Sequence, residues 1–326
     1  MSQLRLDPMT GRWVVIAGER AQRPSDFLPR RLPVEDDPLR PCPFCPGSDL
    51  EPVIERVGPD GQWDVRVVAN LYPAFSGNEP MVVSHLGPVF TQAPASGVHD
   101  VIVLAADHNV SWADIDPEHS ALIMSAIKQR MLDHSAQAGL RYSQAVVNSG
   151  REAGASIEHP HGQLLSMPFI PGEAANELAG FARFQGNCLL CAVMEAEEEA
   201  NHRVVYADDR VMMLCPFWSG TPYEMLLIPR SHEVHLYAAL DDDLAAIGRS
   251  VQLALASLRG RLGDVAYNLM FHSAPFRTSA DFHWHVHVVP KISTRGGFEM
   301  GSGVLINVVP PERAADDLRS TFAAHA

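Results

Sequence analysis

The segment Glu158-His159-Pro160-His161-Gly162-Gln163 sets two imidazoles one residue apart. On an extended chain side chains alternate with period two, so His159 and His161 share a face and Gln163 returns to it. One ring can then be anchored while its neighbour stays free to react. A neutral imidazole whose first nitrogen is held by a backbone carbonyl presents the second as a nucleophile near neutral pH. Directed at the α-phosphorus of a nucleotide, it would form a nucleotidyl-histidine intermediate. Gln163 would donate an uncharged hydrogen bond to the phosphoryl group in transit. A carboxamide cannot act as an acid, so the departing group must leave unaided, as a phosphate ester can. Transfer between two phosphates is therefore favoured over hydrolysis of a phosphoramide.

The anchor for His159 is expected to be a metal. Four of the five cysteines form Cys-X-X-Cys pairs, Cys42/Cys45 and Cys188/Cys191, while Cys215 stands alone. In a large chain of intracellular type such pairs bind metal more often than they form structural disulfides, with a redox dithiol as the rival. Cys42, Cys45, His108 and His159 make a Cys₂His₂ set suited to tetrahedral zinc. Such a site is closed and structural, pinning the N-terminal loop to the strand that carries His161. Cys188, Cys191, His232 and His283 form a second set. A competing set, Glu177, His272, His285 and His287, has harder donors suited to iron or zinc. Spacing does not separate these two, and the cysteine set is preferred because its Cys-X-X-Cys would otherwise lack a role. The plain alternative is buried core cysteines and hydrogen-bonded histidines.

Contacts for phosphate oxygens are sought in two places. The stretch Asn148-Ser149-Gly150-Arg151-Glu152-Ala153-Gly154-Ala155-Ser156 is rich in small residues and offers hydroxyl and backbone donors. Arg20 and Arg23 are candidate clamps; a solvated loop explains them equally well.

These side chains must be carried by regular elements, and the chain presents those elements twice. The interval from His108 to His159 equals that from His232 to His283. The same offset lays the strand-like run His99–Leu104 on Tyr223–Ile228. It also lays the apolar helical stripe Ile123, Ile127, Met131 on Ile247, Val251, Leu255. Asp116-Pro117 reads as an N-cap and first helical residue, with Gly139 and Gly263 at the two helix ends. The strands Ala145–Val147 and Leu269–Phe271 follow, then the two His-X-His segments. An internal duplication is the better account of so many coincident positions. The fold class is α+β, each copy an antiparallel sheet with a long helix. The boundary is expected within 170–187, around Pro168, Pro171 and Gly172, dividing the chain into 1–172 and 173–326. Residues 22–40 read as a loop. The C-terminal tail holds Gly296-Gly297-Phe298-Glu299, a strand at 304–306 and a helix from about Pro311.

Acidic residues exceed basic ones, and the net charge of −14 speaks against binding a nucleic-acid backbone. A small phosphorylated ligand held by one or two arginines is still compatible. No apolar run reaches the roughly 18 residues of a membrane span. The N-terminus lacks the apolar region of a signal peptide, so a cytoplasmic protein without membrane partners is expected.

Together these residues resemble the galactose-1-phosphate uridylyltransferase family, a duplicated branch of the histidine-triad superfamily. The match runs from Asp7-Pro8-Met9-Thr10-Gly11-Arg12-Trp13 to Gly297-Phe298-Glu299, with His-Pro-His-Gly-Gln intact at 159–163. The resemblance implies two tandem histidine-triad-like domains, with His161 as the uridylylated nucleophile and Gln163 as its phosphoryl-stabilising partner. It implies structural zinc on Cys42, Cys45, His108 and His159. Arg20, Arg23, Asn70, Asn148 and Ser156 correspond to nucleotide and phosphate contacts, and Phe298 and Glu299 to residues that read hexose hydroxyls. The implied reaction is ping-pong exchange of uridylate between UDP-glucose and galactose 1-phosphate, in a homodimer. Asn70 is followed by Leu71-Tyr72-Pro73, where many members place an aspartate that serves the ribose. The second Cys-X-X-Cys and Gly296-Gly297-Phe298-Glu299-Met300-Gly301 are closer to the related ADP-glucose phosphorylases, which pass an adenylyl group to inorganic phosphate. His283-Trp284-His285-Val286-His287 is similar to the triad of simple histidine-triad hydrolases, which allows a second or vestigial site there; a metal-binding core strand is preferred.

Overall fold

The computed structural model of the chain describes residues 2–19, 41–48, 53–58, 64–279 and 281–322. Arg20, Arg23 and the expected loop at 22–40 lie outside the described residues. The first half supplies β1 (Gln3–Leu6), β2 (Trp13–Ile16), β3 (Val53–Val57), β4 (Val65–Ala69), β5 (Ser84–Leu86), β6 (Phe90–Gln92) and β7 (Val98–Val103). The helix α1 (Pro117–Ser135) and the strands β8 (Tyr142–Ser149) and β9 (His161–Met167) complete it. The second half runs α2 (Gly172–Arg183), α3 (Leu189–Ala200), β10 (Val204–Ala207), β11 (Val211–Leu214), β12 (Met225–Pro229), α4 (Asp241–Leu262), β13 (Tyr267–His272) and β14 (His285–Pro290). The tail adds α5 (Gly297–Ser302), β15 (Leu305–Asn307) and α6 (Pro311–Phe322).

Ten strands form one sheet in the order β10-β11-β12-β14-β13-β8-β9-β7-β4-β3. From the central β13–β8 pair outward, the two halves use their strands in the same succession. The pairs within this sheet are antiparallel, and the two halves join where Ala145 faces Phe271 and Val147 faces Leu269. The α+β architecture expected from the pattern is what forms.

Period-two alternation divides the sheet residues between two faces. Ile102, Val147, Leu164, Leu269, Phe271 and Val286 point to one face and share a buried cluster with the stripes of α1 and α4. Each stripe residue, Ile123, Ile127, Met131, Ile247, Val251 and Leu255, is buried. The Asp116 carboxylate accepts from the His119 N–H at 2.7 Å and Pro117 fills the first turn, as a capped helix start requires. Gly263, with φ 77°, ends α4. Gly139 does not end α1: the helix stops at Ser135 and Ala136 closes it in right-handed geometry, so no glycine is required there.

The two long helices cross closely. A Cβ at Gly248 would stand 2.7 Å from the Ser120 carbonyl oxygen, which is backbone and cannot swing aside. Gly248→Ala should therefore destabilise the protein by about 1–3 kcal/mol through overpacking. The check is the urea midpoint at unchanged m, and a wild-type midpoint would contradict the close crossing.

Most of the segment 170–187, where the boundary is expected, is helical, since α2 occupies Gly172–Arg183. In α2 a Cβ at Gly180 would collide with the Met9 carbonyl, so glycine there lets the N-terminal strands pack against the helix. β2 pairs in parallel with β15, and Arg5 Nη1 donates to Glu312 Oε1 at 2.9 Å, tying the first strands to the last helix. Among the described residues no helix is long and apolar enough to cross a membrane.

Candidate active site and metal centres

The sheet face away from α1 and α4 carries the chemistry. On β7 and β9 the register sets Val103 opposite His161, Val101 opposite Gln163 and Leu165 opposite His99. His99, His161 and Gln163 therefore project from the same face.

The first Cys₂His₂ set assembles over this face. Its four donor atoms lie within 4.8 Å of one another, with Cys45 Sγ 3.3 Å from His108 Nδ1 and both thiols 3.7 Å from His159 Nδ1. His159 donates from Nε2 to the Ala105 carbonyl at 2.8 Å, which fixes the tautomer and turns Nδ1 toward the thiols. Burial draws this imidazole down to about 4, keeping it in the neutral form that a ligand needs. Two sulfur and two nitrogen donors converging this way fit a tetrahedral metal ion.

His161 is held differently. Its Nδ1–H donates to the His159 carbonyl at 2.8 Å, so Nε2 carries the ring's lone pair. Burial lowers its pKa and favours the uncharged ring. Phe44, from the Cys42–Cys45 knuckle, packs at 5.2 Å between centroids. The ring borders a small cleft of ≈ 70 Å³ with Asn148, Gly150, Glu158 and Tyr267.

Gln163 Oε1 lies 2.9 Å from His99 Nε2. In the sequence His99 is marked only as the first residue of a strand-like run; the signal for more is its period-two spacing from Val101 and Val103. Asn70 Oδ1 accepts from the Tyr72 N–H at 2.9 Å, and its Nδ2 stands 3.1 Å from His99 Nε2. Asn70 and Gln163 thus meet at His99 Nε2, while Asn148 lines the cleft beside His161. Asn148 Oδ1 accepts from Asn268 Nδ2 at 2.7 Å, leaving its own amide hydrogens for the cleft.

Ser156 is exposed on the approach to His159. The amides of Ala153, Gly154 and Ala155 bond to carbonyls within their own loop, so they are not the free phosphate donors that the small residues suggested. Phe298 and Glu299 are not brought to His161. They line a separate cavity of ≈ 1150 Å³ with Thr221, Lys291 and Arg295, and the Glu299 carboxylate accepts from the Gly296 N–H at 2.9 Å.

The second Cys₂His₂ set repeats the geometry of the first. His283 donates from Nε2 to the Pro229 carbonyl at 2.9 Å and turns Nδ1 toward Cys188 and Cys191, each 3.6 Å away. The ring pairs His108–His159 and His232–His283 both sit 5.2 Å apart and nearly perpendicular, at 89° and 88°. Burial and the adjacent Cys188 push the Cys191 thiol up to about 12, so a cation is what would let both sulfurs ionise.

The carboxylate set also assembles, and the two sets are not competitors. Glu177, His272, His285 and His287 bring their donor atoms within 4.8 Å and share no residue with the cysteine set. The Glu177 carboxylate lies 2.8 Å from His272 Nδ1. Burial opposes its ionisation, but His272, His285 and His287 hold the carboxyl down at about 2. His285 Nε2 and His287 Nε2 are buried without hydrogen-bond partners, as expected of nitrogens waiting for a cation. His285 mirrors His161 in bonding through Nδ1 to the His283 carbonyl, but its Nε2 is buried 4.0 Å from Glu177. Its ring is fully buried among Glu177, His272 and His287, which fits the metal-and-core reading of the C-terminal triad.

An antiparallel sheet that presents an uncharged imidazole beside a Cys₂His₂ knuckle fits a nucleotidyltransferase. Residues 1–171 match the family described as galactose-1-phosphate uridyl transferase, N-terminal domain, and residues 89–325 also match a domain of unknown function. The chain belongs to the galactose-1-phosphate uridylyltransferase family. It is 33% identical over 328 residues to ADP-glucose phosphorylase of Arabidopsis thaliana, covering 97% of this chain and 92% of that protein. It is 28% identical to galactose-1-phosphate uridylyltransferase of Thermotoga maritima, covering 98% of this chain and 99% of the relative. A crystal structure of the Arabidopsis thaliana ADP-glucose phosphorylase with bound ADP-glucose superposes with a TM-score of 0.84 at 31% identity, covering 98% and 99% of the two chains.

Proposed function

We propose that the protein moves a nucleotidyl group from a nucleoside-diphosphate sugar to a phosphate acceptor through His161. The observation that carries this reading is the Nδ1–H bond from His161 to the His159 carbonyl, which leaves Nε2 as the nucleophilic atom. Nε2 attacks the α-phosphorus and forms a P–N bond; the α-phosphorus–oxygen bond to the sugar phosphate breaks, and the sugar 1-phosphate leaves with that electron pair. The ring then carries phosphorus on Nε2 and a proton on Nδ1. Its positive charge is stabilised by the His159 carbonyl and makes it a good leaving group. An oxygen of the second phosphate attacks phosphorus, the P–N bond breaks, and neutral His161 returns. No proton needs to reach the leaving group, which suits Gln163.

For the base and acceptor we rank adenylyl transfer from ADP-glucose to orthophosphate first, and uridylyl exchange between UDP-glucose and galactose 1-phosphate second. This reverses the order taken from the sequence. It is supported by the 33% identity to ADP-glucose phosphorylase against 28% to a uridylyltransferase, and by the second Cys-X-X-Cys and the 296–301 segment. The test is intact mass after mixing with each nucleotide sugar. We expect an adenylyl adduct that orthophosphate discharges. A uridylyl adduct discharged only by a sugar 1-phosphate would restore the other order, and no adduct with either donor would overturn the reading.

Zinc is proposed for both Cys₂His₂ sets, where it would be structural, and iron or zinc for the Glu177 set. We also propose two units, 1–172 and 173–326, related by duplication and sharing one sheet. A cytoplasmic homodimer is proposed with them, since Phe298 and Glu299 stand at a cavity apart from their own His161 and would serve a partner's cleft.

A further inference from the structure

We infer that His99 is the residue that orients Gln163, by fixing which end of its carboxamide faces the phosphoryl group. The inference rests on the nucleotidyl-transfer reading above. The oxygen and nitrogen ends of a carboxamide have nearly the same shape, so an unsecured glutamine can present either one. With the oxygen outward, Gln163 would repel phosphate oxygens; with the nitrogen outward, it donates to them. Something must break that symmetry.

His99 does so through its tautomer. Its Nδ1 accepts from the Ala74 N–H at 3.1 Å, so that nitrogen carries no proton and the ring's proton is on Nε2. The Nε2–H points to Gln163 Oε1 at 2.9 Å. Asn70 Nδ2 already faces this N–H as a donor at 3.1 Å, so a flipped Gln163 would take away the acceptor that Oε1 supplies and set a second donor in its place. Gln163 Oε1 is thereby held inward and its Nε2 hydrogens are turned outward. Asn70 cannot take over this role, because its Oδ1 is committed to the Tyr72 N–H and the atom facing His99 is a second donor.

The turn that supplies the Ala74 amide is built for the purpose. The Asn70 N–H bonds to the His99 carbonyl at 3.0 Å, which anchors the turn on β7. Pro73 has no N–H, so Ala74 offers the next one. Leu71-Tyr72-Pro73 thus acquires a function: it delivers the donor that sets the His99 tautomer.

The test uses single-turnover nucleotidylation of His161 in the intact protein with the donor that labels the wild type. His99→Phe, which keeps a ring but loses the donor, should slow adduct formation by about 100-fold while KM changes by less than about 3-fold. Gln163→Ala should slow it similarly, and the double variant should be no slower than Gln163→Ala alone. His99→Gln, which can accept from Ala74 and donate to Gln163, should recover most of the rate. Multiplying losses in the double variant, or an unchanged rate in His99→Phe, would overturn the inference while leaving nucleotidyl transfer intact. A wild type that forms no adduct would overturn both. If the variants fail to fold, ¹⁵N NMR of the wild-type imidazoles decides: a proton on His99 Nε2 is expected, and one on Nδ1 would refute the assignment.

Discussion

His161→Ala should abolish the covalent nucleotidyl adduct and lower turnover by on the order of 10⁴-fold or more, the scale seen when a nucleophile is removed from a working unit. The lost atom is the one that bonds to phosphorus, and no neighbour can replace it. His159 has its Nε2 committed to the Ala105 carbonyl and its Nδ1 turned to the thiols. His99 spends its two nitrogens on Ala74 and Gln163. His285 is fully buried on the other half of the sheet. The substitution should spare the fold, because β9 keeps its backbone pairing to both β7 and β8. The check is adduct mass and steady-state rate, with zinc content and melting temperature as controls. An adduct that persists in His161→Ala would remove this residue from the mechanism.

Loss of the first Cys₂His₂ site should cost stability before it touches chemistry. Cys42→Ser or His108→Ala is expected to release one metal equivalent and destabilise the protein by about 4 kcal/mol, a size that single changes reach when a metal is lost. The knuckle carries Phe44, which packs with Val68, Val101 and Val103 and against the His161 ring. Arg66 Nη2 donates to the Phe44 carbonyl at 3.0 Å, so part of the cover stays attached without metal. Activity should therefore decline in step with folding, and the residual folded fraction should still form the adduct. Metal analysis with chemical denaturation checks this. Full stability in metal-free protein would refute a structural ion at this site. Cys188→Ser should remove a second equivalent, since its set repeats the first in tautomer and ring geometry.

Much of the site was legible because it depends on short-range rules. Period-two alternation alone places His159, His161 and Gln163 on one face of a strand. The Asp116-Pro117 start of α1 follows from the unpaired N–H groups of a first turn, and the buried stripes of α1 and α4 follow from helical period. The repeated intervals of cysteine and histidine named both thiolate sets without any knowledge of how strands pair.

Other features depend on pairings between residues far apart in the chain, for which no local pattern exists. The identity of the strand beside β8 is one: its partner is β13, and that choice makes one sheet of two halves. The fate of Glu177 is another, since only the packing of α2 against the open face brings it to His272, His285 and His287 and separates that cluster from Cys188 and Cys191. His99 looked like an ordinary strand residue until the β7–β9 register set it diagonal to Gln163. The position of Phe298 and Glu299 is a third, since the packing of the tail sets them at a cavity that His161 does not line. Side-chain direction is written into a few neighbouring residues, whereas register and packing are decided by the whole chain folding onto itself.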